Sequence, residues 1–600
     1  MNHIQNYLLI GDLHTAALVS KGGSIDWLCF PHFDSPSIFA RILDKKGGSF
    51  SIEHENAEIN SNYIKDTAIV EHQFKSQGDV FKIRDFMVPQ QKNICDSHFL
   101  IRKIIGVEGR SVVRLHFDPQ PDYAQSIIHF KNNKTVISAD LNGHQLDLHL
   151  PDEAEIVRSD SEYMIKIKVE KGQDKEIILE YKVNQPAHIY QDDLESRTRQ
   201  FWYDWLTKGK FIGFCREQMI RSAITLKLMQ YYPTGAIIAS PTTSLPEEIG
   251  GVRNWDYRYV WIRDATFTLY AFHILGYQEE LLKFFNFIEN IAEVCKEESG
   301  GTIHLMYTIK GSSIPAETEL QHMQGFEKSA PVRTGNAASE QFQLDVYGSL
   351  IDAYYFVWCN DRFALSNRSR NIIVSLVGHI EEVWNKKDEG IWEMRSGRQH
   401  FTYSKVMAWV GVNRALRMCG ALNISEDKKK DWNKLEREIK QWIWDNCFDE
   451  ELGSFTQHPD TKNQDATNLL FVLLQFLDRH DEMTKNIINK TCEGLAYKKS
   501  FVYRYYSDDD FMGKEGAFVL CTFWMIAAFA AVEEIDKALS NYYNFRDYMD
   551  ETMLMSEEID PDTGEYLGNF PQAFSHMGLI LAAFFVNKYK ERLDKKDLLP

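Results

Sequence analysis

The sequence predicts a mixed fold, an N-terminal antiparallel β-sandwich followed by an all-α (α/α)6 toroid or barrel. Three observations carry this. Up to about residue 210 the chain is built of short runs of alternating or β-branched character with turn residues between them. After about residue 214 the apolar residues recur at i, i+3 and i+4. The helical segments then number roughly twelve, and buried ones alternate with amphipathic ones, as a closed double ring requires. The sandwich is placed at residues 1–190, a helical linker at 191–213 and the barrel at 214–600.

The strand runs are Ser49–Ile52, Ala68–Val70, Phe99–Ile105, Ser111–Phe117 and Tyr163–Val169, punctuated by Lys46-Gly-Gly, Gln77-Gly-Asp and Asn142-Gly-His. Gln191–Leu206 reads as the linker helix, polar first and then aromatic at Phe201-Trp-Tyr-Asp-Trp205. Leu344, Tyr347, Leu350, Ile351, Tyr354 and Tyr355 share one helix face; Met407, Val410, Ala415 and Met418 share another. Ala517–Val532 has almost no polar side and must be buried all round. Two long connections, Tyr232–Arg258 and Ser299–Ala337, exceed the ~15 residues beyond which a loop usually serves a function.

Acidic residues outnumber basic ones by 86 to 67, a formal charge of −19 that opposes binding to nucleic acid or an anionic membrane. No secretory leader and no apolar run long enough to span a bilayer is present. The nine cysteines are scattered and odd in number, without a C-x-x-C pair, so they read as reduced thiols of a cytoplasmic protein. Phosphate-binding, nucleophile-elbow and zinc-protease motifs are absent. Asp560–Glu565 imitates a calcium loop, but its glycine comes one position early and Pro571 stands where a bidentate Glu belongs. Asp508-Asp-Asp510 reads as a solvated loop, and no metal site is expected.

What remains is carboxylates beside aromatics: Asn254–Asp264, Gly390–Arg395, Tyr503–Tyr505 and Met555–Asp560. Glu393 follows Trp392, and an indole against a carboxyl raises its pKa by desolvation, as a general acid near neutral pH requires. Arg263-Asp264 opens an apolar helix behind four aromatics, either as a structural ion pair or as a fork for sugar hydroxyls.

At these motifs the chain resembles glycoside hydrolase family 15, the glucoamylase- and trehalase-like enzymes, in their prokaryotic branch with a trehalase-like N-terminal domain. Ile10–Val19, Ser24–Leu28 and Phe33–Ser37 resemble that domain; Tyr257–Asp264 resembles the segment in which the Tyr and the Arg-Asp pair contact the terminal glucosyl unit. Trp392-Glu393 matches the segment of the general acid, and Tyr503-Arg504 the segment whose Arg lines the pocket. Ser556-Glu557 matches that of the general base, with Glu558 and Glu565 as rivals, and Phe570–His576 is the stretch that follows it. Met394 stands where fungal glucoamylases have a second Glu.

The resemblance implies an inverting, exo-acting α-glucoside hydrolase that releases β-glucose from non-reducing ends, with Glu393 as acid and Glu557 as base. Tyr257, Trp261, Arg263, Asp264, Trp392 and Arg504 would hold the sugar, with Asn336, Gln343 and Asp345 adding polar contacts. No cofactor is needed. The partner is a carbohydrate, an α-glucan, maltooligosaccharide or trehalose, and assembly as a homo-oligomer is left open. Trehalose hydrolysis is the nearest alternative, followed by a disaccharide phosphorylase and a non-catalytic carbohydrate-binding protein.

Overall fold

The computed structural model describes residues 3–596 apart from 54–56, 94, 142, 159–161, 184–192, 299–302, 362–363, 499 and 507–514. Asp508-Asp-Asp510, Asn142 and the first residues of the expected linker helix thus lie outside the described residues.

Two antiparallel sheets of eight strands each fill the first 182 residues. In the first, the spatial order is Tyr7–Gly11, Ala16–Ser20, Ile25–Cys29, Ser49–Glu53, Arg110–Asp118, Tyr163–Glu170 and Glu155–Arg158, with Ser37–Phe39 beside Ile25–Cys29. In the second it is Phe130–Asn132, Val136–Leu141, His144–His149, Asp174–Lys182, Ser97–Glu108, Asp79–Met87, Val70–Ser76 and Glu58–Tyr63. Arg110–Asp118 alternates as its sequence predicts: Val113, Leu115 and Phe117 point inward, and Leu115 pairs with Ile52 on one side and Ile165 on the other. These residues meet Phe74, Ile83, Leu100 and Leu179 of the second sheet in one sandwich core.

The first three strands are buried on both faces. Leu8, Ile10, Val19 and Leu28 face the sandwich core, whereas Tyr7, Leu9, Leu18 and Trp27 belong to the core of the helical part. The Trp27 indole donates to Pro241 O at 2.7 Å, and Arg258, paired with Asp256, donates to Ser35 O at 2.8 Å. The long Tyr232–Arg258 connection is therefore clamped between sandwich and barrel.

The helices are α1 (Leu194–Thr207), α2 (Arg216–Leu228), α3 (Ile262–Leu275), α4 (Gln278–Glu298), α5 (Asp345–Asp361), α6 (Asn367–Val383), α7 (Thr402–Arg417), α8 (Glu426–Cys447), α9 (Glu482–Leu495), α10 (Val519–Ala531), α11 (Ile535–Arg546) and α12 (Ala573–Lys596). Helix α1 begins with Asp193 capping Ser196 N, and its Trp205 donates to Glu280 on α4 at 2.7 Å. Helices α3, α5, α7, α10 and α12, with the short 3-10 stretch Ala466–Leu470, form the inner ring; α3 packs on both α5 and α12, and α10 on α12. Helices α2, α4, α6, α8, α9 and α11 alternate with these outside the ring, and α1 precedes it as the linker helix. Every residue of α10 is buried, as its uniform apolarity predicts. All six inner elements begin at the same end of the barrel, where the functional pocket lies.

Candidate active site

Residues from the starts of the inner elements and from the two long connections line one pocket enclosing about 780 Å³, its mouth included. Tyr257, Trp261, Arg263, Asp264, Asn336, Trp392, Glu393, Arg504 and Glu557, all expected from sequence, are in its wall.

Glu393 sits in a turn after α6 with a left-handed backbone, φ 59°, following Gly390 at φ 70°. For a non-glycine residue that conformation costs roughly 1–2 kcal/mol and is held here by Met394 N donating to Glu389 O at 3.1 Å. It turns the carboxylate toward α3, where Trp261 Nε1 donates to Oε1 at 2.7 Å and Arg263 Nη2 lies 3.5 Å away. The expected pairing with Trp392 is corrected by this geometry: the Trp392 indole donates to Asp465 at 2.8 Å instead. The indole bound to Glu393 is remote in sequence.

Glu557 precedes a small three-stranded sheet of Ala517–Phe518, Glu558–Ile559 and Tyr566–Leu567. Only 1% exposed, it accepts a hydrogen bond from Tyr257 Oη at 2.7 Å. Burial, reinforced by the charge of Glu247 and opposed by Arg504, pushes its pKa up to about 8. Glu558 turns away to accept from Gly516 N at 2.8 Å and to approach Arg504 at 3.4 Å. Glu565 lies past the Asp560–Gly564 turn, 40% exposed and 3.1 Å from His3. Of the three rivals, only Glu557 reaches the pocket wall. Tyr257 and Trp261 meet edge to face with centroids 5.3 Å apart, so one aromatic pair holds Glu557 at one end and Glu393 at the other.

Arg263 is both an ion-pair partner and a fork. Its guanidinium lies 3.4 Å from Asp264 and donates to Gln343 at 2.5 Å and Asp345 at 3.4 Å. Gln343 and Asp345 are thus brought to the site but stand behind Arg263, not in the lining as expected. Asp264 is pushed up to about 7 by burial, against the pull of Arg263. Asn336 caps the turn after it, accepting from Ala338 N at 2.9 Å, and bonds Asp256 O.

Sequence reasoning missed the cluster around Arg504. Its guanidinium lies 3.1 Å from Glu247 and 2.8 Å from Glu515, and Arg253 donates to Glu515 at 2.5 Å. Glu247, 2% exposed, also accepts from Trp255 Nε1 at 3.1 Å; burial drives its pKa up to about 7. The Trp255 ring has Arg333 and Arg395 over it at 4.7 and 4.3 Å. The available signal was the length of the Tyr232–Arg258 connection, which carries Glu247, Arg253 and Trp255. Gln572 and Phe574, inside the Phe570–His576 stretch, complete the wall. Among the described residues, one trio of possible metal ligands, Asp147, His149 and Glu180, lies in the sandwich, and Lys182 pairs with both of its carboxylates at 2.5 and 3.6 Å.

Four carboxylates, Glu247, Asp264, Glu393 and Glu557, stand in one aromatic-walled pocket at the helix N-termini of an (α/α)6 barrel, an arrangement suited to a glycoside hydrolase. The chain belongs to glycosyl hydrolases family 15, whose model matches residues 213–584, and a trehalase-like N-terminal model matches residues 1–201. It is 31% identical to a trehalase of Mycobacterium tuberculosis, over 99% of this chain and 91% of that protein. Identity to a trehalase of Thermoplasma volcanium is 30%, over 97% and 93% of the two chains. A crystal structure of a bacterial glucoamylase complexed with acarbose shares the fold, with a TM-score of 0.71, 15% identity, and coverage of 98% of this chain and 94% of that one. No described helix is long and apolar enough to cross a membrane.

Proposed function

We propose that the chain hydrolyses α,α-trehalose with inversion at one anomeric carbon, Glu393 acting as general acid and Glu557 as general base. One observation carries the acid–base assignment: of the carboxylates in the pocket wall, these two are held at opposite ends of the Tyr257–Trp261 pair. Trehalose is favoured over α-glucans by the trehalases whose sequences align along almost the whole chain. Protonated Glu393 gives its proton to the bridging oxygen as the C1–O bond breaks. Ionised Glu557 takes a proton from water attacking C1 on the opposite face, an arrangement that needs ~6.5–9.5 Å between carboxyls, against ~5–5.5 Å for a retaining pair. A base raised by burial accepts that proton more readily. Arg263, held by Gln343 and Asp345, and Asp264 bind sugar hydroxyls, and Tyr257, Trp261 and Trp392 face the ring.

Inversion releases one β-glucose, from the attacked carbon, and one α-glucose, the leaving group. NMR of the first turnovers in ¹⁸O-water should show both anomers equally, with the label only in β-glucose. Two α anomers would refute inversion. Hydrolysis of maltose or maltotriose but not trehalose would move the substrate to the exo-acting glucoamylase reading, which uses the same acid and base.

A further inference from the structure

We infer that Glu247 is a positioning residue whose carboxylate, fixed between the Trp255 indole and the Arg504 guanidinium beside Glu557, sets how strongly Glu557 draws a proton from the attacking water. The inference rests on Glu557 being the base, as proposed above.

Glu247 has no freedom to do anything else. Its Oε1 is taken by Trp255 and its Oε2 by Arg504, at 3.1 Å each, with Arg253 4.0 Å from Oε2. The backbone is pinned as well: Glu247 N donates to Arg253 O at 3.1 Å, and Pro246 O accepts from Gly568 N at 2.7 Å. Gly568 in turn lies against the Glu557 carboxylate. The loop with Glu247 is therefore joined through Gly568 to the segment with Glu557, at the point where both side chains line the pocket.

The charges around Glu557 do not balance. Tyr257, from the segment before α3, donates one hydrogen bond; Arg504, Glu247 and Glu558 are its charged neighbours, and Glu515 and Arg253 are one contact further. Arg504 pulls the pKa of Glu557 down, but it stands among Glu247, Glu515 and Glu558 at 3.1, 2.8 and 3.4 Å, three carboxyl groups against Arg504 and Arg253. Glu247 is thus a buried like charge that no cation fully cancels, and it disfavours ionised Glu557. If Glu247 served only to anchor Arg504, a neutral acceptor of the same shape would serve as well.

That difference is measurable. Glu247→Gln keeps the shape and one acceptor oxygen, puts an NH2 donor in place of the other, and removes the charge; Glu247→Asp keeps the charge and both acceptors. The low-pH limb of kcat/KM for trehalose should move down by about one pH unit or more in the Gln variant, the scale of a buried like-charge neighbour. Its plateau kcat should fall about 3-fold or more as the base weakens, with KM nearly unchanged. The Asp variant should keep the wild-type limb. A limb unmoved in a folded Gln variant, or moved equally in both, overturns the inference. Should the Gln variant not fold, calorimetry on the wild-type enzyme decides: binding a cationic imino sugar at neutral pH should release a fraction of a proton from the cluster, and zero release is refuting. The base itself is tested separately. Glu557→Ala with azide and α-glucosyl fluoride should give β-glucosyl azide, and its absence removes the base assignment and this inference with it, whatever Glu247 does.

Discussion

Replacing Gly568 by alanine should disable the enzyme without unfolding it. Gly568 has φ +71°, and a Cβ there would lie 2.5 Å from Glu557 Oε2 and 2.7 Å from Glu557 Cβ. The left-handed backbone alone costs an alanine roughly 1–2 kcal/mol. Ordinary contact requires the Glu557 side chain to retreat by about 1 Å, a misplacement that typically costs about 10²-fold in rate. Its Tyr257 bond, 2.7 Å in the native site, would stretch with it. Gly453→Ala is the matched control, since Gly453 has φ +65° and nothing within 4 Å of the added Cβ. Melting of both variants should drop by a similar few degrees, while kcat for trehalose falls about 10²-fold only in Gly568→Ala. A folded Gly568→Ala enzyme with kcat within about threefold of the Gly453→Ala control, against the ~10²-fold loss expected, would refute the reasoning.

Glu393→Gln should lose about 10²–10⁴-fold in trehalose turnover yet hydrolyse α-glucosyl fluoride well, because fluoride leaves without a proton; equal losses on both substrates would argue against the acid role. Asp264, Asp388 and Glu247 are pushed up to about 7 and Glu557 to about 8, all chiefly by burial. Above the ordinary carboxylate range the native state therefore binds more protons than the unfolded chain, and stability falls as pH rises through these values. Buried neutral His32 and His576, held down to about 3, act in the opposite sense only below about pH 6.5, the ordinary His value. Melting temperature should thus decline from about pH 6.5 to pH 8; a rising profile would contradict the burial argument.

The strands whose alternation was readable in the sequence were those with one wet face; Phe99–Ile105, largely buried on both faces, was readable only as a β-branched apolar run. Arg110–Asp118 and Tyr163–Glu170 alternate because solvent lies on one side. Tyr7–Gly11, Ala16–Ser20 and Ile25–Cys29 show no period because they serve two cores at once, and only the resemblance of Ile10–Leu28 pointed to them. Helix α10 was plain from length and apolarity, whereas Ala466–Leu470, its counterpart in the ring, is too short to display a period. In the site, motif order brought out Glu393, Glu557 and the Arg263-Asp264 pair. It could not show that Trp261, 132 positions away, is the indole on Glu393. Nor does the sequence distinguish Glu247 from Glu248; only the clamp on the Tyr232–Arg258 connection buries one of them at the pocket.

The common direction of the six inner elements sorts charge along the barrel. Each helix start carries about half a positive charge, and these converge on the pocket; the helix ends, correspondingly negative, converge on the opposite mouth. That far mouth is where Arg414, Lys440, Arg479, Lys588 and Arg592 gather, in a molecule whose formal charge is −19. At the pocket the backbone by itself would repel the positive charge that a sugar ring acquires as its anomeric bond breaks. There the wall sets four carboxylates, Glu247, Asp264, Glu393 and Glu557, among four arginines, Arg253, Arg263, Arg395 and Arg504. A carboxylate that never exchanges a proton with substrate, such as Asp264, then offsets part of the electrostatic cost of the cationic ring.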